Sequence, residues 1–421
     1  AEGGDDPERV VALAVAVDKR TPPQKQTLAA YHRSIDPSLN PARARETDLQ
    51  NQVNNVNNAM ATTLVSVSVT PRTMRILPRG NWLDDSGEMV TPAVPAFLSL
   101  TEIKDRTANR LDLAQWLVSR DNPVTARVFV NRMWKIMFGQ GIVKTLDDFG
   151  AQGAAPTHPQ LLDWLAVEFM ERGWDIKHMF KLMAMSGTYR QGSFASESLR
   201  QRDPYNLWLA RQSRPRLEAE MVCDNALAIA GLLARKVGGP SVKPYQPAGY
   251  WALLNFPTRE YMNDHGDNLY RRGLYTYWAR TFLHPSLLAF DAPTREECTV
   301  DRVKSNTPQQ ALVLLNDPIY VEAARVLAER MMREGGKDSG GRIQFAYQHA
   351  ISRTPKKEEQ KLLETLYQQH LAQYKADPKA AEELLQVGER AVAKDIDKAE
   401  LAAWTSVARV VLNLSETITK Y

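Results

Sequence analysis

The chain has 421 residues, of which 43% are hydrophobic and 24% are charged, a composition typical of folded globular proteins. Its length exceeds the roughly 250 to 300 residues at which single cores stop growing, so more than one cooperative unit is expected. The net charge is only +4, and 53 basic residues are scattered among 49 acidic ones. This argues against a nucleic-acid-binding protein, which presents a clustered basic face. No apolar run approaches the about 18 residues that a membrane span needs.

The amino-terminal sequence does not read as a signal peptide. The apolar run 10–17 has the length of a signal-peptide core, but Asp5, Asp6 and Glu8 precede it where positive charge is expected. We therefore expect a mature form or an internal fragment. The two cysteines, Cys223 and Cys298, allow either one disulfide or two separate thiols. No Cys-x-x-Cys-His motif occurs, so the chain cannot attach a c-type haem by itself.

The first 90 residues have the pattern of a connector. Residues 1–60 predict a helical or loosely ordered lead-in, and the Asn-rich run 51–58 favours a linker or connecting loop. The segment 62–69 alternates and is rich in β-branched residues, which predicts a strand, and 73–78 indicates a second one. We assign 1–90 to a lead-in with short strands.

The next part of the chain predicts an N-terminal helical bundle, assigned to residues 91–215. Helical periodicity indicates four helices within about 75 residues, packed around Trp116, Trp134 and Trp164. The expected core consists of Leu113, Leu117, Val130, Trp134, Phe138, Leu162, Leu165 and Phe169.

Residues 216–421 predict a second, mainly helical part. A helix over 217–234 precedes an irregular crossing rich in proline and glycine, which ends in an aromatic strand over 272–278. Helices are expected near 307–334, 342–351, 356–374, 378–394 and 398–414. The predicted fold class is therefore mainly α: multi-helix bundles with a few short β-strands.

The sequence lacks the dinucleotide-binding, P-loop, zinc-protease and nucleophile-elbow motifs. The most promising polar group is Asp147, Asp148 and His158, with Arg132 on the preceding helix. If the loop 141–159 folds back on that helix, these side chains offer a metal site or an acid/base site. The alternative is structural: a carboxylate caps a turn and pairs with the arginine, and the histidine anchors the next helix. We take the four residues as candidate catalytic residues.

Two further groups are candidate ligand-binding residues. His265 and Asp267 lie in a dense run of turn formers that does not match the calcium-loop pattern, so an exposed loop is the alternative. His284, Asp291 and Arg295 lie beside helix-starting turns, where anions bind, although structural pairing is the alternative. No metal is assigned to either group.

Aromatic residues of the irregular crossing offer a third possibility. Tyr245, Tyr250, Trp251 and Phe256 could line a sugar-binding surface, since aromatic faces with a polar edge suit amphipathic ligands.

Several long stretches resemble the planctomycete PSD domain family, a domain of unknown function numbered fifteen fifty-three. The stretches are NRMWKIMFGQGIVKTLDDFGAQGAAPTHPQLLDWLA, RRGLYTYWART, FDAPTREECTV, SNTPQQALVLLNDPIYVEAARVLAERM and AAWTSVARVVLNLSETITKY. The resemblance spans about residues 90–421, and the lead-in resembles a connector between two uncharacterised domains.

The resemblance implies a place in a larger protein. Such proteins join a signal peptide, a cytochrome c module with Cys-x-x-Cys-His, a second uncharacterised domain and then this one. We therefore expect a haem-bearing upstream segment or partner chain, a periplasmic or cell-surface location, and an exposed apolar patch where the two dock. No haem is expected to be attached to this chain, and the family supplies no catalytic residues.

Two functions remain open. The chain is either part of a redox enzyme that oxidises a carbohydrate-type substrate and passes electrons to haem, or a non-catalytic binding or scaffold domain at the cell surface.

Overall fold

The computed structural model describes residues 6–60, 62–98, 106–247, 249–253, 260–279 and 282–420. It divides into two compact units, Ala1–Thr91 and Pro92–Tyr421. The protein is 55% helical, and the described ranges hold sixteen α-helices and one two-stranded sheet. The predicted mainly-α class is confirmed. No helix in these ranges has the length and apolar character to cross a membrane.

The described residues of the first unit form three α-helices and a small hairpin. The helices α1 (Pro7–Ala14), α2 (Pro22–Ile35) and α3 (Asn40–Ala59) each have proline in the first turn. The strands β1 (Met74–Arg75) and β2 (Met89–Val90) pair antiparallel. Proline suits the first turn because its missing N–H has no intrahelical partner there.

Two sequence predictions for this unit are wrong. The Asn-rich run 51–58 lies inside α3, where polar side chains bond at helical spacing, as between Gln50 Nε2 and Asn54 Oδ1 at 3.1 Å. Residues 62–69 form no strand, and their side chains are exposed. A β-branched segment needs a partner strand for its backbone hydrogen bonds, and the described residues supply none here.

The second unit begins with a helical bundle that has its own core. Its helices are α4 (Arg110–Leu117), α5 (Thr125–Phe138), α6 (Pro159–Glu171), α7 (Ile176–Met185) and α8 (Glu197–Arg202). Buried side chains between residues 126 and 183 fill this core.

The predicted core of this bundle is right for six residues and wrong for two. Val130, Trp134, Phe138, Leu162, Leu165 and Phe169 are buried. Leu113 and Leu117 are 47% and 40% exposed, and no residue of α4 is buried. Trp164 is also 51% exposed, so the expectation of three tryptophans at the centre is wrong. Helix α6 has apolar residues on two faces, and periodicity alone does not choose between them.

The rest of the second unit surrounds a larger core, with α12 and α16 at its centre. Its helices are α9 (Ala219–Ala230), α10 (Pro285–Ala289), α11 (Pro308–Asn316), α12 (Pro318–Glu334), α13 (Ser339–Ile351), α14 (Lys357–Ala376), α15 (Pro378–Leu385) and α16 (Lys398–Leu412). Trp404 of α16 is fully buried and stacks on Tyr367 with ring centroids 4.2 Å apart. Dividing this unit at residue 215 stays a prediction.

Capping residues and turns explain why three predicted elements of residues 216–421 differ from the observed ones. The helix expected over 307–334 is two helices, since Asp317 caps α12 and proline follows it. The helix expected over 217–234 ends at Ala230, because Gly231 takes a left-handed conformation with φ +80°. The strand expected over 272–278 is a 3-10 turn, Gly273–Tyr275, flanked by isolated bridges.

The two cysteines are free thiols. Cys223 is half-buried and Cys298 is exposed. Burial raises the pKa of the Cys223 thiol well above its usual value.

Candidate functional site

The loop 141–157 folds back onto α5 through one buried asparagine. Asn131 donates from Nδ2 to the carbonyl of Val143 and accepts from the Val143 N–H, both at 2.9 Å. A Cβ at Gly141 would come within 2.8 Å of Asn131 Nδ2, so glycine is needed for this approach. The Thr157 N–H donates to Ile142 O at 2.9 Å and closes the loop.

The four candidate catalytic residues lie on or beside this loop with separate partners. Asp148 Oδ1 accepts from the Gly150 N–H at 2.7 Å, while Asp147 is exposed. His158 precedes α6, with Nδ1 3.0 Å from Thr157 Oγ1. Arg132 is exposed, and no hydrogen bond or ion pair joins any two of the four in the described structure. Their catalytic role stays a prediction.

A cavity of about 200 Å³ lies beside the same loop, between the end of α5 and the segment 205–215. Trp134 and Phe138 stack with ring centroids 3.9 Å apart and form an aromatic part of its wall. Its polar lining consists of Gln140, Thr157, Tyr205, Asn206, Ser213 and Arg214.

The polar groups that line this cavity differ in whether they already have hydrogen-bond partners. Asn206 donates from Nδ2 to Arg211 O at 2.8 Å, but its buried Oδ1 has no hydrogen-bond partner in the described structure. A buried acceptor without a partner carries a desolvation cost. Tyr205 is 70% exposed, so its ring is available to a ligand.

The negative end of α5 points towards the cavity but is already bonded. Ser213 Oγ donates to Phe138 O, and Lys420 Nζ donates to Met137 O at 3.0 Å. A lysine at a helix C-terminus compensates the partial negative charge there. Nearby, the buried carboxylate of Asp203 accepts from the N–H groups of Leu207 and Trp208, at 2.8 and 2.9 Å.

The candidate ligand-binding residues of the larger core have structural partners. His265 is exposed, with Nδ1 3.2 Å from Glu389 Oε1, and Asp267 is exposed in the neighbouring 3-10 turn. His284 is buried: Nε2 lies 2.7 Å from Tyr245 O. Burial lowers the pKa of His284 to about 4.

The other two candidates of this group hold a loop in place. Asp291 accepts from the N–H and the hydroxyl of Ser305, at 2.7 and 2.8 Å. The Arg295 guanidinium lies 3.7 Å from the centroid of the Trp278 ring and 3.7 Å from Glu220 Oε1. None of the described contacts connects the five ligand-binding candidates to the loop 141–157.

Three of the aromatic residues predicted to line a sugar-binding surface form hydrogen bonds within the protein. Trp251 is buried and donates from Nε1 to Gln246 Oε1 at 2.7 Å, and Tyr250 donates to Leu283 O at 3.3 Å. Tyr245 donates to Glu322 Oε2 at 3.2 Å. Phe256 lies outside the described residues.

A buried charge network in α12 was missed by the sequence reasoning. Glu322 and Arg325 are both fully buried, with Arg325 Nη2 3.6 Å from Glu322 Oε1. The same oxygen accepts from Tyr270 OH at 3.0 Å and from the Arg390 N–H at 2.6 Å. Burial, followed by the charge of Glu322, raises the pKa of Tyr245 to about 12. The available signal was that the residues next to Glu322 and Arg325 along α12 are apolar.

The chain's own residues do not fit a covalently attached haem. A c-type haem needs two cysteines two residues apart and an adjacent histidine. Cys223 is half-buried against the larger core, and Cys298 is exposed in a distant loop. Among the described residues, no three His, Cys, Asp or Glu side chains are grouped to hold a metal ion.

The fold and the site define a mainly helical protein with two packed cores and a small cavity beside a glycine-rich loop. A family model named PSD1, described as a protein of unknown function (DUF1553), matches residues 109–367. Because this match covers more than half of the 421 residues, the chain belongs to the DUF1553 family. No curated protein and no solved structure matches the chain.

Proposed function

We propose that the chain is a non-catalytic binding domain that holds a carbohydrate-type ligand in the cavity beside the loop 141–157. The observation that carries this proposal is the composition of the cavity wall, in which the 70% exposed ring of Tyr205 lies with the amide of Gln140 and the hydroxyl groups of Thr157 and Ser213. Sugars present apolar C–H faces to aromatic rings and hydroxyl groups to amides, so both kinds of surface are needed.

The size of the cavity fits a small ligand. Its volume of about 200 Å³ lies below the roughly 300 to 1,000 Å³ of sites for drug-sized molecules, which suits one sugar ring at the end of a chain. The neighbouring carboxylates Asp147 and Asp148 do not line the cavity. This arrangement favours binding over acid/base chemistry as the role of the region.

Titration of monosaccharides and oligosaccharides into the protein, followed by tryptophan fluorescence and calorimetry, tests the proposal. We expect Tyr205→Ala to weaken binding at least tenfold, because it removes the exposed ring of the cavity. The matched control is Phe194→Ala, which removes another ring that is 79% exposed but does not line the cavity. If no sugar binds, or if both variants weaken binding equally, the proposal is wrong.

A second role is favoured by a specific feature of the first unit. Along α3, Leu49, Val53 and Val56 follow one another at spacings of four and three residues, and their side chains are 49%, 52% and 63% exposed. An apolar stripe at this spacing is typical of a helix that pairs with another helix. We propose that this stripe docks the haem-bearing segment or partner chain that the family resemblance implies.

Co-purification tests the docking role. The intact protein should be isolated from its source with the absorbance of haem followed through each column. We expect a Leu49→Gln/Val53→Gln double variant to lose the haem-bearing partner, while Asn51→Gln/Asn58→Gln on the opposite face of α3 retains it. Equal retention by both double variants would contradict the docking role.

Haem-coupled oxidation of a carbohydrate and a periplasmic or cell-surface location rest on the resemblance alone and stay proposals. Mixing the intact, haem-containing protein with a panel of sugars and recording the haem spectrum tests the redox alternative. Reduction of the haem by a sugar would favour the enzyme over the binding domain.

A further inference from the structure

The segment 203–209 borders the cavity beside the loop 141–157 and has a strained backbone. Tyr205, Leu207 and Leu209 are part of the cavity lining. Asn206 and Leu209 take left-handed conformations, with φ values of 53° and 55°. Asparagine tolerates this conformation, but for leucine it is uncommon and unfavourable. Strained backbone persists only where the surrounding contacts hold it in place, and it is concentrated at ligand sites.

Hydrogen bonds hold this segment in a fixed shape. The buried carboxylate of Asp203 accepts from the N–H groups of Leu207 and Trp208, at 2.8 and 2.9 Å. Arg211 Nη2 donates to the carbonyl of Asp203 at 2.8 Å, and Asn206 Nδ2 donates to Arg211 O at 2.8 Å. Because the bonds at Leu207 and Trp208 use the backbone, the side chains of these two residues are not needed to hold the segment.

Two aromatic rings of the segment are exposed, and each has a cation nearby. Tyr205 lies in the cavity lining, whereas Trp208 lies outside it and is 56% exposed. Lys144 Nζ lies 5.7 Å from the centroid of the Tyr205 ring, and Arg202 Cζ lies 5.6 Å from the centroid of the Trp208 ring. An aromatic face beside N–H donors suits a sugar, which has apolar C–H groups and hydroxyl groups. The segment therefore carries this combination twice.

The two rings are close enough to contact one extended ligand. Tyr205 and Trp208 are three residues apart, so their Cα atoms lie within about 11 Å of each other, at about 3.8 Å per residue. The turn in which the Leu209 N–H donates to Asn206 O at 3.2 Å shortens this distance further. A chain of sugar units can contact both rings at once, with one unit at each ring.

We infer that the ligand of the cavity is an oligosaccharide, with one sugar unit on Tyr205 in the cavity and a further unit on Trp208 outside it. This inference rests on the proposed function, because it adds a second subsite beside the same cavity. When two subsites bind one ligand, the second contact is intramolecular and strengthens the first. A sugar chain should therefore bind more tightly than a single sugar.

Titration of sugars of increasing length tests the inference. The probes are glucose, galactose and xylose and their β-1,4-linked chains of two to four units, each added to the full chain. We expect the Kd to fall at least tenfold from one unit to three units in the preferred series, about 1.4 kcal/mol. An affinity that does not change with length would overturn the inference and leave the proposed function standing. Failure of sugars of every length to bind would overturn both.

Variants of Trp208 separate the second subsite from the cavity. Trp208→Ala should abolish the gain with chain length and leave the affinity for the single sugar unchanged, while Trp208→Phe should retain part of the gain. Both variants keep the backbone N–H that donates to Asp203, and thermal melting checks that they are folded. The matched control is Trp164→Ala, which removes another half-exposed tryptophan outside the cavity lining.

The outcomes of these variants are distinct. A gain with chain length that survives in Trp208→Ala would overturn the inference, as would an equal loss of the gain in Trp164→Ala. If Trp208→Ala instead loses a co-purifying protein and keeps its affinities for sugars, the segment docks a protein and the inference is wrong.

Discussion

The loop 141–159 and the network around Glu322 carry similar residue types in opposite surroundings. In the loop, Asp147 is exposed and Asp148 bonds its own turn. In α12, Glu322 is fully buried and joins α12 to three other segments through Tyr245, Tyr270 and Arg390. The loop attracts attention in the sequence, whereas the network holds distant parts of the chain together.

The difference shows that burial decides how much a charge contributes. An exposed carboxylate is stabilised by water, so its loss costs little. A buried carboxylate has exchanged water for protein donors, and the donors that remain after its removal are left without a partner. We therefore expect the effects of substitution to decrease from the network to the loop.

The largest effect is expected for Glu322→Ala. Removing this carboxylate leaves the Tyr270 hydroxyl and the Arg390 N–H without their acceptor, while Arg325 keeps its ion pair with Glu329. The loss should lower the free energy of unfolding by about 2 to 5 kcal/mol. The matched control is Glu334→Ala in the same helix, whose carboxylate lies 3.0 Å from Arg330 but is half exposed. That variant should lose no more than about 1 kcal/mol. Urea titration measures both, and equal losses would contradict the comparison.

A second large effect is expected for Gly388→Ala. Gly388 has φ +92°, and a Cβ there would overlap the carboxylate of Glu322. The left-handed backbone costs roughly 1 to 2 kcal/mol, and the overlap adds about 1 to 3 kcal/mol. Gly336→Ala is the control, since Gly336 has φ +89° with open space around the added Cβ. If urea titration shows the same loss of free energy of unfolding for both variants, the close approach of Gly388 to Glu322 does not contribute to stability.

A third effect is expected in the pH dependence of stability. Burial lowers the pKa of His284 from its usual 6.5 to about 4, so the folded state favours the neutral ring. Its contribution to stability is complete above pH 6.5 and is lost as the pH falls towards 4. Between pH 7 and pH 5 the loss should be about 2 kcal/mol.

The variant His284→Gln isolates this contribution. Burial raises the pKa of Asp317 to about 6, which acts with the opposite sign over the same pH range but equally in both proteins. Urea titrations at pH 7 and pH 5 should show that His284→Gln loses less stability than the unsubstituted chain. Ser286→Ala keeps the imidazole and should retain the larger loss. An unchanged pH dependence in His284→Gln would contradict the role of the buried ring.

The helices could be predicted from the sequence because their signals are local. Proline in the first turn marks α6, α12 and α15, and glycine at φ +83° ends α5. The face that each helix buries was harder to predict, as the exposed Leu113 and Trp164 show. Both faces of their helices carry apolar residues, and only the packing partner selects one.

The candidate site was predicted only in part, because its contacts are distant in sequence. The fold-back of the loop 141–159 onto α5 was only a condition of the predicted site, and the hydrogen bonds that hold the loop there are made by Asn131 and not by its neighbour Arg132. The partner of Glu322 at Arg390 lies 68 residues away, so no local pattern reveals it. A charge within an apolar helix segment is the only trace of such a network, and it is easily read as an exposed position.

The smallest effects are expected in the loop itself, where substitutions separate a structural role from a functional one. Asp148→Ala removes the hydrogen bond to the Gly150 N–H and should cost about 0.5 to 1.5 kcal/mol. Asp148→Asn keeps an acceptor oxygen for that bond and should leave the free energy of unfolding nearly unchanged. Asp147→Ala should stay within about 0.5 kcal/mol, because its side chain is exposed.

The Asp148→Asn variant therefore decides the role of the loop, since it changes the charge and preserves the turn. Sugar titration and metal titration of this variant, of Asp147→Asn and of His158→Gln should match the unsubstituted chain if the loop only supports the cavity. Thermal melting confirms that each variant is folded before its titration is interpreted. A variant that is equally stable but loses sugar or metal binding would make the loop a functional site in its own right. The expected outcome is retention of binding by all three, because the described contacts of Asp148 and His158 are made to the loop's own residues.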